Sequence, residues 1–122
     1  MELRAKNQNA VPEARRQPPR RGARRSIAVR YDALLYDTIQ NMITSAHTAG
    51  DFTYKSPADY VRAALRAYKD GMKLTELDRS GEKVATSLRM DQDLWEFWRT
   101  LPDQLRSRLL ERAIRTYMRT RA

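Results

Sequence analysis

The segment RSIAVRYD, residues 25–32, decides the fold, because its apolar side chains alternate as they do in a strand. Ile27, Val29 and Tyr31 are separated by small or polar residues, a pattern typical of a half-buried strand. From Asp32 onward the apolar period changes to about 3.6 residues, which predicts a helix. A single strand leaves its backbone amides and carbonyls without partners. The chain must therefore supply a second strand.

A second alternating segment, KVATSLRMD, occupies residues 83–91. We predict that the two strands pair antiparallel into a ribbon above the helices. Because strand side chains alternate between faces, the residues expected to point toward the helices are Ile27, Val29, Tyr31, Thr86, Leu88 and Met90. The residues expected to point outward are Ser26, Ala28, Arg30, Ala85, Ser87 and Arg89.

The first strand is followed by two predicted helices. Asp32 is suited to cap the first helix, which should end between His47 and Gly50. Ser56 and Pro57 are typical of the N-cap and first position of the second helix, and Gly71 of its end. The predicted inward residues are Leu35, Ile39, Met42, Ile43 and Ala46 in the first helix and Val61, Ala64, Leu65 and Tyr68 in the second.

The second strand is followed by the same order of elements. Asp91 is suited to cap a shorter helix, Pro102 marks a break, and a last helix follows it. The predicted inward residues of the shorter helix are Leu94, Trp95, Trp98 and Leu101. Those of the last helix are Leu105, Leu109, Ala113, Ile114 and Tyr117.

The two halves of the chain correspond. VRYD at residues 29–32 matches LRMD at residues 88–91, and AALRAY at residues 63–68 resembles RAIRTY at residues 112–117. The strand positions lie 59 residues apart and the helix positions 49 residues apart. We therefore divide the chain into an arm at residues 1–24, a first repeat at 25–71, a linker at 72–82 and a second repeat at 83–122. The predicted fold is mostly α with a two-stranded antiparallel β-ribbon.

Basic residues dominate the chain, which has 122 residues, 24 Lys and Arg, 15 Asp and Glu, and a formal charge of +9. Residues 1–25 alone hold eight basic residues against two acidic ones, together with three prolines. This segment has few side chains for a core, so we expect a disordered basic arm. Such a charge favours polyanionic partners.

The order of strand, helix and capped second helix, with an outward polar-x-Arg pattern on the strand, resembles the ribbon-helix-helix family of DNA-binding proteins. The resemblance implies a tandem, single-chain version of the usual homodimer, with β-α-α-β-α-α order and a pseudo-dimeric ribbon. In that family the ribbon enters the major groove of double-stranded DNA. The resemblance therefore implies base contacts by Ser26, Ala28, Arg30, Ala85, Ser87 and Arg89.

The resemblance also implies phosphate contacts at the start of each second helix, where free amides favour an anion. These contacts are assigned to Lys55 and Ser56 in the first repeat and to Arg106 and Ser107 in the second. The basic arm is expected to follow the DNA backbone through Arg20, Arg21, Arg24 and Arg25. Asp59 would compete with phosphate for the same amides in the first repeat.

Other classes of protein are not favoured. The absence of cysteine excludes disulfides and thiolate metal sites, and His47 has no neighbouring His or Cys with which to bind a metal. We expect no cofactor, no metal and no catalysis, since no phosphate loop, paired carboxylates or nucleophile–base pattern occurs. No apolar run approaches the roughly 20 residues of a membrane span, and we expect a cytoplasmic protein.

The function predicted is sequence-specific binding of double-stranded DNA, as a transcriptional repressor or regulator. A DNA-binding accessory protein of conjugation is an alternative that the sequence does not separate. An antitoxin-like protein-interaction module is a second alternative, but the last predicted helix ends close to Ala122, without a toxin-wrapping extension. Binding of structured RNA through charge is a third. Self-association of pseudo-dimers on DNA is left open.

Overall fold

The chain folds as two strands and four α-helices in a computed structural model that describes residues 24–121. Residues 1–23 of the predicted disordered arm lie outside the described residues. The elements, in chain order, are β1 (Arg24–Asp32), α1 (Ala33–Thr48), α2 (Pro57–Lys69), β2 (Lys83–Asp91), α3 (Gln92–Thr100) and α4 (Arg106–Thr120), with a short 3₁₀ helix (Asp103–Leu105) before α4.

The two strands form a two-stranded antiparallel sheet, as predicted. Ala28 lies opposite Ser87 at the middle of the ladder, and Arg24 and Asp32 lie opposite Asp91 and Lys83 at its ends. One further hydrogen bond, 3.0 Å from the Ala33 amide to the Glu82 carbonyl, extends the pairing beyond the ladder. The strand amides therefore find the partners that a lone strand lacks.

The apolar face of this ribbon lies on the helices. Val29, Tyr31, Leu88 and Met90 are buried, with at most 3% of each residue exposed, while Ile27 and Thr86 are partly buried. The four buried residues and Ile27 belong to one hydrophobic cluster with residues of all four helices. The helical members that are buried are Leu35, Ile39, Ile43, Tyr60, Val61, Ala64, Leu65, Leu94, Trp98, Leu110, Ile114 and Tyr117.

The predicted helix caps of the first half are confirmed. The Asp32 carboxylate accepts a hydrogen bond of 3.0 Å from the Leu35 amide, and the Ser56 hydroxyl accepts one of 3.2 Å from the Asp59 amide. Gly71, two residues after the end of α2, has a φ of 112°, a conformation that glycine adopts without strain. These three residues mark the start of α1 and both ends of α2.

The cap predicted at Asp91 is wrong in its mechanism. Asp91 occupies the N-cap position of α3, but its side chain makes no capping hydrogen bond. The carboxylate instead lies 3.1 Å from a guanidinium nitrogen of Arg66 on α2. The Asp91 carboxylate therefore pairs with Arg66 of α2 and does not cap α3.

The predicted inward face of the last helix is also wrong at its start. Leu105 is 39% exposed, whereas Leu110 is completely buried and Leu109 partly buried. The 3₁₀ helix that ends at Leu105 turns every three residues, so the apolar side chains before and after it do not share one helical period. Ala113, Ile114 and Tyr117 are buried as predicted.

The linker crosses the surface of α4. The amides of Thr75 and Glu76 each donate a hydrogen bond of 3.1 Å to the hydroxyl of Thr116, which is buried. The Arg112 guanidinium returns hydrogen bonds to the Glu76 and Leu74 carbonyls at 2.9 and 3.3 Å. The linker is therefore fixed to α4 although it contains no helix.

His47 lies in the last turn of α1, where the sequence placed it. Its Nε2 atom is 2.9 Å from the Tyr54 carbonyl oxygen, and its ring stacks on Phe52 at a centroid distance of 4.8 Å. His47 thus holds the loop between α1 and α2. None of the helices described is long and apolar enough to cross a membrane.

Candidate nucleic-acid interface

The outer face of the ribbon forms one continuous exposed surface. The six residues assigned to base contact, Ser26, Ala28, Arg30, Ala85, Ser87 and Arg89, are all exposed. Their alternation with the buried Val29 and Leu88 is what turns them away from the helices. The structure therefore brings together every residue of the predicted set.

The strand register fixes where the two arginines of this surface lie. Arg30 is opposite Ala85, Arg89 is opposite Ser26, and Ala28 and Ser87 face each other between these pairs. The two arginine positions are four residues apart along the ribbon, which corresponds to about 13 Å. This length is about four base steps of duplex DNA at 3.4 Å each.

Arg62 supports the ribbon from α2 and was not predicted from the sequence. Its guanidinium donates a hydrogen bond of 3.1 Å to the carbonyl oxygen of Arg89 and forms an ion pair with Asp59. The side chain is only 11% exposed. The backbone that carries Arg89 is therefore anchored to the second helix.

Two ion pairs connect α2 and α4 with the ends of the strands. Arg66 pairs with Asp91 at 3.1 Å, and Arg115 pairs with Asp32 at 3.3 Å. Arg66 also bonds to Asp93, and this hydrogen bond lowers the pKa of the Asp93 carboxyl. The sequence signal that could have revealed these pairs is the shared spacing: the aspartates are 59 residues apart and the arginines 49, the same offsets as the repeats.

Glu111 is a buried carboxylate at the end of the ribbon, with 1% of the residue exposed. Its Oε1 accepts hydrogen bonds from the Asp32 amide at 3.1 Å and from the Lys83 Nζ at 3.0 Å. Its Oε2 accepts from the Arg79 amide at 2.7 Å and from the Arg115 Nε at 3.2 Å. Burial raises the pKa of Glu111, but these hydrogen bonds outweigh burial and lower the pKa below its ordinary value.

The start of α2 combines a cap with an exposed cation. Ser56 caps the Asp59 amide, and the Asp59 carboxylate accepts a hydrogen bond of 2.9 Å from the Lys55 amide. The Asp59 amide in the first turn of α2 is therefore already occupied, and the Asp59 carboxylate binds the Lys55 amide just before the cap. The Lys55 residue is exposed, so its side chain remains available to an anion while the amides are partly used.

The start of α4 differs from that of α2. The Arg106 guanidinium donates hydrogen bonds to the Leu101 carbonyl at 3.0 Å and to the Arg99 carbonyl at 3.1 Å, and it pairs with Asp103 at 2.7 Å. These contacts close the turn between α3 and α4. Arg106 therefore has a structural role in addition to the phosphate contact predicted for it, and Ser107 is partly buried beside it.

Arg25 lies on an aromatic ring. Its guanidinium carbon is 3.9 Å from the ring centroid of Trp95 on α3, and that of Arg99 is 4.7 Å from the same centroid. Trp95, predicted as a core residue, is only partly buried, whereas Trp98 is buried. Of the other arm residues assigned to phosphate, Arg24 begins β1, and Arg20 and Arg21 lie outside the described residues.

The described residues contain no group of three or more His, Asp or Glu placed to hold a metal ion. What the ribbon surface offers is hydrogen-bond donors: two guanidiniums and two hydroxyls on a two-stranded support. Comparison of the chain with protein-family models, curated proteins and solved structures gives no match.

Proposed function

We propose that this protein binds double-stranded DNA in a sequence-specific manner, as a tandem ribbon-helix-helix protein that acts as a transcriptional repressor or regulator. In this proposal β1 and β2 enter the major groove together. The major groove is about 12 Å wide and admits a two-stranded ribbon. The observation that carries the proposal is the exposed outer face of the ribbon, with an arginine toward each end.

The two halves act as a pseudo-dimer in this proposal. Support comes from the strand register, in which positions 59 residues apart, such as Ala28 and Ser87, lie opposite each other at the centre. Further support comes from the ion pairs Arg66–Asp91 and Arg115–Asp32, which are equivalent under the offsets of the repeats. An approximate two-fold axis through the ribbon would then coincide with that of the DNA site.

The chemistry of the outward side chains suits base recognition. Arginine donates two hydrogen bonds to the O6 and N7 atoms of guanine, serine bonds to several bases, and alanine contacts the methyl group of thymine. We therefore expect two guanines, one on each DNA strand, about four base steps apart. Lys55, Ser56, Arg106, Ser107 and the basic arm are the proposed contacts to phosphate.

The experiment begins with selection of a preferred duplex from a random pool. Binding of that duplex is then measured by fluorescence anisotropy for the wild type and for Arg30→Ala and Arg89→Ala. Each substitution should weaken binding of the preferred duplex by about 1–3 kcal/mol, or about 5- to 150-fold, and random duplex far less.

Arg108→Ala is the matched control. Arg108 is an exposed arginine of α4 that pairs with Asp78 of the linker, away from the strands in sequence. The Arg108→Ala substitution removes the same charge as Arg30→Ala or Arg89→Ala. It should leave the preference for the selected duplex unchanged. Equal loss of affinity in all three variants, or a wild type that binds all duplexes equally, would exclude base recognition by the ribbon.

A further inference from the structure

We propose that the protein makes additional phosphate contacts on one side of its DNA site, through a cationic cluster that exists at only one end of the described ribbon. This cluster consists of Arg25 and Arg99 on the ring of Trp95, and we call it the arginine–tryptophan flank. The inference rests on the proposed function, and it names the phosphate contact that would distinguish the two halves of the site.

The first argument is the absence of an equivalent cluster in the other half of the described chain. The positions that correspond to Arg25, Trp95 and Arg99 under the 59-residue offset are Val84, Tyr36 and Gln40. A cleft of about 230 Å³ lies beside Tyr36 and Gln40, and the residues that line it are uncharged. One end of the ribbon therefore carries two arginines where the equivalent positions at the other end carry none.

The second argument concerns the cation of β2 at the opposite end. Lys83 lies 3.0 Å from the buried Glu111 carboxylate, which neutralises its charge. Arg99 also has an acidic neighbour, Glu96, at 3.4 Å, but both side chains are more than half exposed. Such an exposed pair contributes little and is screened by salt. The two arginines of the flank therefore have no cationic counterparts at the equivalent positions of the other end.

The third argument is the geometry of the stacked guanidinium. Arginine above a tryptophan ring is held by a cation–π interaction, and it keeps its N–H donors at the edge of its plane. Ordering the side chain in advance reduces the entropy lost when it binds a phosphate oxygen. Arg25 adjoins Ser26, which lies opposite Arg89, so the flank is at the end of the ribbon that carries Arg89.

Two further asymmetries distinguish the two halves of the ribbon. Ser87 faces Ala28 at the centre of the ribbon, so a hydroxyl donor is present on only one side of the approximate axis at that position. Residues 1–23, with six basic and two acidic residues, join the ribbon at Arg24 and therefore at the end that bears the flank. Additional backbone contacts by these residues would begin at that end.

The side of the site that the flank contacts is tested by directed cleavage of DNA. Single cysteines can be introduced for this purpose, because the chain has no cysteine of its own. Thr100→Cys in α3 and Asn41→Cys, its equivalent in α1, are each exposed sites for an iron-chelate cleavage reagent. On a selected duplex, each labelled protein should cut on one side of the site, and the two should cut on opposite sides. Equal cleavage on both sides by each protein would overturn the inference.

The flank itself is tested by converting it to the residues of the other half, in the double variant Arg25→Val/Arg99→Gln. We expect the slope of log affinity against log salt to fall by about 1.8, since each phosphate contact contributes about 0.9. The control, Arg108→Gln/Arg119→Gln, removes two arginines of α4 that pair with Asp78 and Glu76. An equal fall in slope for both double variants would overturn the role of the flank.

The results also separate this inference from the proposed function. A wild-type chain without any preferred duplex overturns both. A sequence-specific complex that is cleaved equally on both sides overturns only the one-sided phosphate contact, and base recognition by the ribbon stands.

Discussion

Replacing Glu111 with Gln should strongly destabilise the fold, because no orientation of the amide satisfies the four donors around it. Two donors face each carboxylate oxygen: the Asp32 amide and Lys83 face Oε1, and the Arg79 amide and Arg115 face Oε2. The NH₂ group of Gln must replace one oxygen, and either choice directs it at one backbone amide and one cation.

The size of the effect follows from these hydrogen bonds. An unsatisfied buried amide costs about 1–3 kcal/mol, and removal of a hydrogen bond to a charged group costs about 1.5–3 kcal/mol. Lys83 and Arg115 are 25% and 17% exposed, so water recovers part of this free energy. We expect Glu111→Gln to lower the free energy of unfolding by about 3 kcal/mol, out of the roughly 5–15 kcal/mol typical of a domain.

Urea denaturation at pH 7, followed by tryptophan fluorescence, measures this difference. Glu96→Gln is the matched control, since Glu96 is 55% exposed and its ion pair is with Arg99, which is also exposed. The control should change stability by less than about 0.5 kcal/mol. A decrease below about 1 kcal/mol for Glu111→Gln would refute the role of the four donors.

The pH dependence provides an independent check on the same residue. The pKa of Glu111 is lowered in the folded protein, so its ionised form contributes stability above the ordinary pKa of 4.5. That contribution is lost as the pH falls through the folded-state pKa. The stability difference between wild type and Glu111→Gln should therefore shrink below about pH 4.5. A difference that stays constant from pH 7 to pH 3 would contradict the assignment.

Three further changes have distinct expected results. Ser56→Ala removes the cap of α2 and should lower the free energy of unfolding by about 1 kcal/mol in urea denaturation, with Thr53→Ala as an exposed control. Arg62→Ala removes the bond to the Arg89 carbonyl and should weaken binding of the preferred duplex in anisotropy titrations, whereas unchanged binding would exclude this support. Deletion of residues 1–23 should weaken binding of preferred and random duplexes by the same factor and lower the salt slope by about 0.9 for each phosphate that the arm neutralises; weaker binding of the preferred duplex alone would contradict a backbone contact.

The ribbon and its helix caps were predictable because their signals are local. The alternation in RSIAVRYD and KVATSLRMD assigns each side chain to a face, and Asp32 and Ser56 bond to amides three residues away. The pairing of the strands followed from the need of backbone groups for partners. The inward residues of both strands are confirmed as partly or fully buried.

The contacts that depend on distant segments were not predictable. Glu111 lies in a helix rich in charged residues, and its donors come from β1, the linker, β2 and α4 itself. A charged residue in such a pattern is expected to face solvent. Leu105 was assigned inward because a continuous helix was assumed. The 3₁₀ turn before α4 interrupts the helical period on which that assignment depended.

The roles of two arginines also depended on the tertiary structure. Arg106 was assigned to phosphate by its position, and the sequence did not reveal its hydrogen bonds to the Leu101 and Arg99 carbonyls. Arg25 was assigned to phosphate as part of the arm, and it lies on Trp95. Charge and order of elements in the sequence do not reveal such packing, because the contact between Arg25 and Trp95 forms only when β1 packs against α3.

Methylation interference is the most direct test of a ribbon in the major groove. Guanine N7 is exposed in the major groove, and its methylation blocks an arginine that would bond to N7 and O6. With a selected duplex, we predict interference at two guanines on opposite strands, about four base steps apart. Arg30→Ala should abolish sensitivity at one guanine and Arg89→Ala at the other. Interference confined to adenine N3 in the minor groove, or a guanine pattern unchanged in both variants, would contradict major-groove recognition by this ribbon.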